Sequence, residues 1–147
     1  MSRSTSAATV LIVLPALALL VAGCKNTSRA TAGGSGAPLV QITERDFHIG
    51  APAHVAAGDV TFRVHNNGPD QHEFIMVKVA SPKLPFRTDG YTVDEESIQN
   101  AEPGSLVPGQ PGATRDLTVH LVAGRYVLFC NMSGHYLGGM HQDLIVS

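Results

Sequence analysis

Residues 126–146 read YVLFCNMSGHYLGGMHQDLIV. Two apolar-rich runs, one ending at Cys130 and one opening at Met140, flank a short loop containing Gly134, Gly138 and Gly139. The runs are strand-length, and the glycines supply the backbone freedom that a tight connection needs. Working outward, Ala123-Gly124 marks a turn, and before it Leu117, Val119 and Leu121 alternate with Thr118 and His120. Toward the N-terminus, HEFIMVKV (His72–Val79) follows the turn signal Asn66-Asn67-Gly68-Pro69-Asp70. Val60, Phe62 and Val64 alternate with Thr61, Arg63 and His65, after a turn at Ala57-Gly58-Asp59. Val40, Ile42 and Glu44 alternate with Gln41 and Thr43, and Phe47 and Ile49 with Asp46 and His48. Period-2 runs separated by Gly or Pro turns predict an all-β sandwich or barrel.

One segment breaks this rhythm. Residues 80–112 hold five Pro and little alternation, with one helix-like piece at Asp94–Asn100. They read as a long loop or insertion carrying a short helix. Its acidic residues Asp94, Glu95, Glu96 and Glu102 read as a solvated face, since acids favour a first helical turn.

The chain has 147 residues, enough for one ordinary domain. Val10–Ala22 reads VLIVLPALALLVA, thirteen residues broken only by Pro15. This is short for a membrane span of about 20 residues. It follows a polar start carrying Arg3 and ends in Val21-Ala22-Gly23-Cys24. Residues 1–23 therefore read as a secretory signal peptide, and Val-Ala-Gly-Cys resembles the lipobox that makes Cys24 the lipid-modified first residue of a bacterial lipoprotein. Residues 24–38, small and Gly-rich, read as a flexible linker from lipid to domain, and residues 39–147 as the domain itself. Losing Arg3 with the presequence leaves nine basic against twelve acidic residues, which offers no footprint for nucleic acid. If Cys24 carries lipid, Cys130 is the one remaining thiol. An odd thiol in an exported protein suggests intermolecular pairing, a reactive nucleophile or a metal ligand.

The loop decides among these. Cys130, His135 and Met140 are spaced Cys-x4-His-x4-Met between two strands, so one loop can fold all three onto one point. His72, opening a strand directly after a turn, is the best candidate for a fourth ligand. His₂Cys with a weak axial thioether is the donor set of blue-copper electron-transfer sites. His48, His65 and His120 fall on the polar phase of their strands, and His54 in a loop. Met76 shares its phase with His72 and Phe74 and reads as core. Met132 and His141 are the possible competing ligands, but alternation turns His141 away from whatever Met140 faces.

In these residues, and in VTFRVHNNGPDQHEF and GRYVLFCNMSGHYLGGM, the chain resembles the cupredoxin family over roughly residues 39–147. Its ligand-loop spacing is similar to that of rusticyanin within that family. The resemblance implies a Greek-key β-sandwich binding one copper ion, cycling between Cu(I) and Cu(II), through His72, Cys130, His135 and Met140. It also implies an electron-exchange surface at His135, with Tyr136 and Leu137 as patch residues. The implied activity is that of a membrane-tethered, monomeric electron carrier rather than an enzyme. It would sit in the cell envelope, on the outer side of the cytoplasmic membrane or in the periplasm, and serve a redox protein such as a c-type cytochrome or a terminal oxidase. Two positions depart from the family pattern. Glu73 stands where many members carry Asn, and Asn131-Met132-Ser133-Gly134 has no Pro. The alternatives are a copper chaperone, store or sensor using the same ligands, and a Cys-His enzyme with Cys130 as nucleophile and His135 or His72 as base. The second leaves the Met without a role.

Overall fold

In the computed structural model, residues 36–81 and 83–147 are described. The expected presequence, Cys24 and most of the linker lie outside them. Among the described residues nine strands form two sheets. The first has the order β2-β1-β4-β7, from β1 (Leu39–Arg45), β2 (His48–Gly50), β4 (Gly58–Asn66) and β7 (Thr114–Leu121). The second has the order β3-β9-β8-β5-β6, from β3 (His54–Val55), β5 (His72–Val79), β6 (Gly104–Gly109), β8 (Gly124–Phe129) and β9 (His141–Val146). The pairs β1·β4 and β3·β9 are parallel and the others antiparallel.

The alternation read in β4 is the burial pattern observed. Val60, Phe62 and Val64 point inward, and Asn66 continues the inward phase. They meet Phe74, Met76, Tyr126, Leu128 and Leu144 across the sandwich to form the main core. β5 and β8 read instead as near-continuous apolar runs, because they are buried on both faces. The outer side of Ile75, Val77, Val127 and Phe129 is covered by Leu84 and Val93 from the 80–112 segment. That segment thus acts as a lid on the second sheet and adds a second apolar cluster.

Two expectations are corrected. The segment 80–112 is not all loop and helix, since it contains strand β6, paired to β5. β6 is the edge strand of its sheet, where Pro108 breaks no ladder that the fold requires; Pro and Gly in GSLVPG masked the strand in sequence. Phe47 does not share the buried phase of Ile49. It sits between β1 and β2 with φ 60° and is 52% exposed, because the chain turns there instead of continuing as one strand. The helix expected at Asp94–Asn100 appears as α1 (Glu95–Ile98) followed by a 3₁₀ turn, Gln99–Ala101. Among the described residues no helix is long and apolar enough to cross a membrane.

Candidate metal centre

The site forms where β8 gives way to the loop before β9 and where β5 begins. Phe129 pairs with His141 in the ladder. One step further, the Cys130 N–H donates to the Met140 carbonyl at 3.1 Å. Cys130 and Met140 are therefore cross-strand neighbours, and directly opposed residues share a sheet face. Both side chains are fully buried in the main core. The loop closes on itself through Met140 N–H to the His135 carbonyl (2.9 Å), His135 N–H to the Met132 carbonyl (2.9 Å) and Gly138 N–H to the Gly134 carbonyl (2.9 Å). Gly134 and Gly139 take φ of 79° and 106°, the left-handed region where a side chain is disfavoured.

His72 enters from the second side. Asn66, fully buried, shapes the loop that delivers it: its Nδ2 donates to the Asp70 carbonyl (2.7 Å) and the Gly109 carbonyl (3.0 Å), and its Oδ1 accepts from Gly68 N–H (2.9 Å). One donor atom each of His72, Cys130 and His135 then lies within 4.8 Å of the others. Cys130 Sγ is 3.6 Å from His135 Nδ1, and the two imidazole centroids are 5.2 Å apart.

The electrostatics of this cluster suit a cation. His72 Nδ1 is buried without a hydrogen-bond partner, a situation rare for a buried polar atom. Burial holds the His72 pKa below the ordinary imidazole value, with His135 adding to the effect and Asp46 and Asp70 opposing it. Burial also pushes the Cys130 thiol up to about 11, against the backbone N–H groups of Met132 and Glu73 that face it. An unpartnered imidazole nitrogen, a buried sulfur and a second imidazole fit a soft-to-borderline metal ion, whose charge would favour the thiolate.

Several participants were not legible in sequence. Asn131, the residue after Cys130, accepts from Val93 N–H (2.6 Å) and donates to the Val93 carbonyl (3.0 Å) and to Glu95 Oε1 (2.5 Å). With Gly134 N–H bound to the Tyr91 carbonyl (3.2 Å), this ties the loop between β8 and β9 to the 80–112 segment. Glu73 faces the loop as well. Burial and Glu95 raise its pKa, while the Asn131 backbone N–H directed at its carboxylate lowers it. Phe47 packs against His135 at a centroid distance of 5.4 Å, and a Cβ on Gly138 would meet the Phe47 ring.

The surface neighbours of His135 divide. Leu137 is 56% exposed, whereas Tyr136 stacks on His141 (4.6 Å) and meets Phe86 and Phe129 edge-on. Phe47, not anticipated, is exposed beside His135, and a cleft of about 400 Å³ between Pro69, Pro111, Met132 and His135 opens there. A larger cavity, about 630 Å³, lies at the opposite end of β5 beside Val79, Ala80 and Tyr126, away from the cluster. Met132 is half-buried at that cleft and His141 is exposed.

No family model and no curated protein matches the chain. Solved structures do. An auracyanin from the photosynthetic bacterium Roseiflexus castenholzii matches at 19% identity over 78% of this chain and 99% of that one, TM-score 0.56. Auracyanin A, a "blue" copper protein of Chloroflexus aurantiacus, matches at 21% identity over 76% and 100%, TM-score 0.57. Rusticyanin from Thiobacillus ferrooxidans matches at 16% identity over 76% and 79%, TM-score 0.51.

Proposed function

We propose, from the cupredoxin β-sandwich that this chain has in common with those proteins, that it is a type 1 copper protein carrying single electrons between redox partners. The observation that carries the reading is the convergence of His72, Cys130 and His135 donor atoms within 4.8 Å, with a buried, unpartnered nitrogen on His72. In this reading Met140 would supply a fourth, thioether donor, from the same buried face as Cys130. Copper, when bound, supplies the one-electron couple. The chain's part is to hold its donors still: the loop's own hydrogen bonds and the Asn131 anchor resist rearrangement, and full burial of His72, Cys130 and Met140 keeps water out.

Burial also favours a carrier over a copper donor. A chaperone must present its ligands to an acceptor, whereas here His135 alone approaches the surface. A thiol pushed up to about 11 and fully buried is the reverse of an activated nucleophile, which needs a depressed pKa and access. Electrons would pass at His135, flanked by exposed Phe47 and Leu137, to a partner such as a c-type cytochrome or terminal oxidase.

The test is the visible spectrum of the purified protein with Cu(II). An intense blue thiolate-to-copper band is expected, and a colourless complex overturns the assignment. Met140→Leu should keep the band and raise the reduction potential, because loss of a weak axial donor disfavours the oxidised ion. A fall in potential on spectroelectrochemical titration would remove Met140 from the axial position.

The tether belongs to the same proposal. Lipid on Cys24, after removal of residues 1–23, would hold the domain at the outer side of the cytoplasmic membrane or in the periplasm, with residues 24–38 as spacer. Cys24→Ser should move the protein from the membrane to the soluble fraction on cell fractionation; retention in the membrane would mean an uncleaved presequence or a different attachment.

A further inference from the structure

The turn between β1 and β2 belongs to the sheet that contributes no ligand, yet it touches both histidines. Asp46 Oδ1 lies 3.1 Å from His72 Nε2, and Phe47, the next residue, packs on His135. The turn is shaped for this: Phe47 takes the left-handed conformation, φ 60°, which a bulky residue enters only when its surroundings impose it. Space for the Asp46–His72 contact is reserved by Gly68, where a Cβ would lie 2.8 Å from Asp46 Oδ1 and 2.9 Å from His72 Nε2. His72 is fully buried, and its other nitrogen, Nδ1, has no partner.

We infer that Asp46 is a positioning residue for the metal centre: its carboxylate holds the His72 proton on Nε2, leaves Nδ1 bare to receive the metal, and keeps a negative charge behind that ligand. A neutral imidazole carries one proton on either nitrogen, and the partner of one nitrogen decides what the other can do. A carboxylate accepts only from an N–H, so the Asp46 contact selects the Nε2–H form. Such a carboxylate behind a ligating histidine orients the ring and strengthens it as a donor. The added negative charge favours the more positive oxidation state, so Asp46 lowers the reduction potential relative to a neutral partner. The inference deepens the copper reading and rests on it for the potential, while the proton placement can be tested without metal.

The experiment uses the full chain and two variants. Long-range ¹H–¹⁵N spectra of the metal-free protein at pH 8 read the His72 tautomer, and Cu(II) loading then reads release to a chelator and the potential. Wild type should show Nε2–H. Asp46→Ala should lose that pattern and release Cu(II) about 10–100-fold faster. Asp46→Asn keeps an acceptor oxygen, so it should restore the tautomer and slow release while its potential still shifts above wild type. Wild-type tautomer in Asp46→Ala overturns the positioning role, and a wild-type potential in Asp46→Asn overturns the electrostatic one. Should wild type bind no copper while the tautomer follows Asp46 as stated, the positioning role stands and the copper reading alone falls.

Discussion

Cys130→Ser is expected to abolish the blue band of the Cu(II)-loaded protein while leaving the fold in place. The band requires a sulfur that can share electron density with Cu(II), and Cys130 is the one cysteine among the described residues. A serine oxygen at the same position neither ionises near neutral pH nor makes that soft, covalent bond. The change is close to isosteric, so the core around Phe74, Leu128 and Met140 keeps its packing. The new hydroxyl would meet the backbone N–H groups of Met132 and Glu73 that now face the thiol, which spares it much of the about 1–3 kcal/mol that an unsatisfied buried polar group costs. Cu(II) added to this variant should give only weak absorption, with an unchanged far-ultraviolet circular dichroism spectrum. An intense band surviving in Cys130→Ser would mean that another residue supplies the chromophore.

The second large effect concerns stability and lies on the other side of the site. Glu44 is fully buried on β1, and its Oε2 pairs with Arg115 at 2.5 Å. Arg115 also donates to the Val107 carbonyl, reaching β6 beside Gly109. The Glu44 pKa is raised from 4.5 to about 7, chiefly by burial, which Arg115 only partly offsets and Glu73 reinforces. An acid with a raised folded-state pKa binds its proton more tightly folded than unfolded. Its effect is absent below pH 4.5, and stability then falls as pH rises through the window from 4.5 to about 7. At about 1.4 kcal/mol per pH unit the whole window is worth about 3 kcal/mol.

Arg115→Met removes the opposing charge while keeping the apolar stem. At pH 8 it should destabilise the metal-free protein by about 3–5 kcal/mol, the usual cost of stranding one member of a buried pair. At pH 5 Glu44 carries its proton in the folded state, and the loss should shrink to the missing hydrogen bonds. Glu44→Gln should flatten the same dependence. Denaturant titrations at the two pH values decide the matter: an equal loss at both would show that the Glu44 charge is not what Arg115 offsets.

Much of the candidate cluster was readable because its constraints are local. Cys130, His135 and Met140 occupy eleven consecutive residues, so loop length alone limits how far apart they can be. His72 was found through its neighbours, a turn followed by a strand. The supporting residues left no such trace. Asp46 looked like the polar phase of a strand, and only the break at Phe47 places it beside His72. Asn131 looked like a loop residue, and its hydrogen bonds reach Val93 and Glu95, over 35 positions away. Glu44 sat on the apolar phase of β1, a visible anomaly, but its partner Arg115 is 71 positions distant. Strand β6 was hidden because Gly and Pro carry no β signal even where an edge strand tolerates them.

Period-2 hydrophobicity, the turn signals and the Cys-x4-His-x4-Met loop determined by themselves a β architecture with one candidate donor cluster at a sheet end. These follow from interactions along the chain, where alternation sorts side chains to faces and glycines set where the backbone can reverse. The tertiary structure alone decided which groups stand behind the candidate donors: a carboxylate on His72, an aromatic ring on His135, an amide anchoring the loop and a buried ion pair near the cluster. These contacts join residues from different strands and both sheets. Their pairing depends on strand register and on how two twisted sheets are stacked, and a one-residue slip in β1 would turn Glu44 and Asp46 away from Arg115 and His72 altogether.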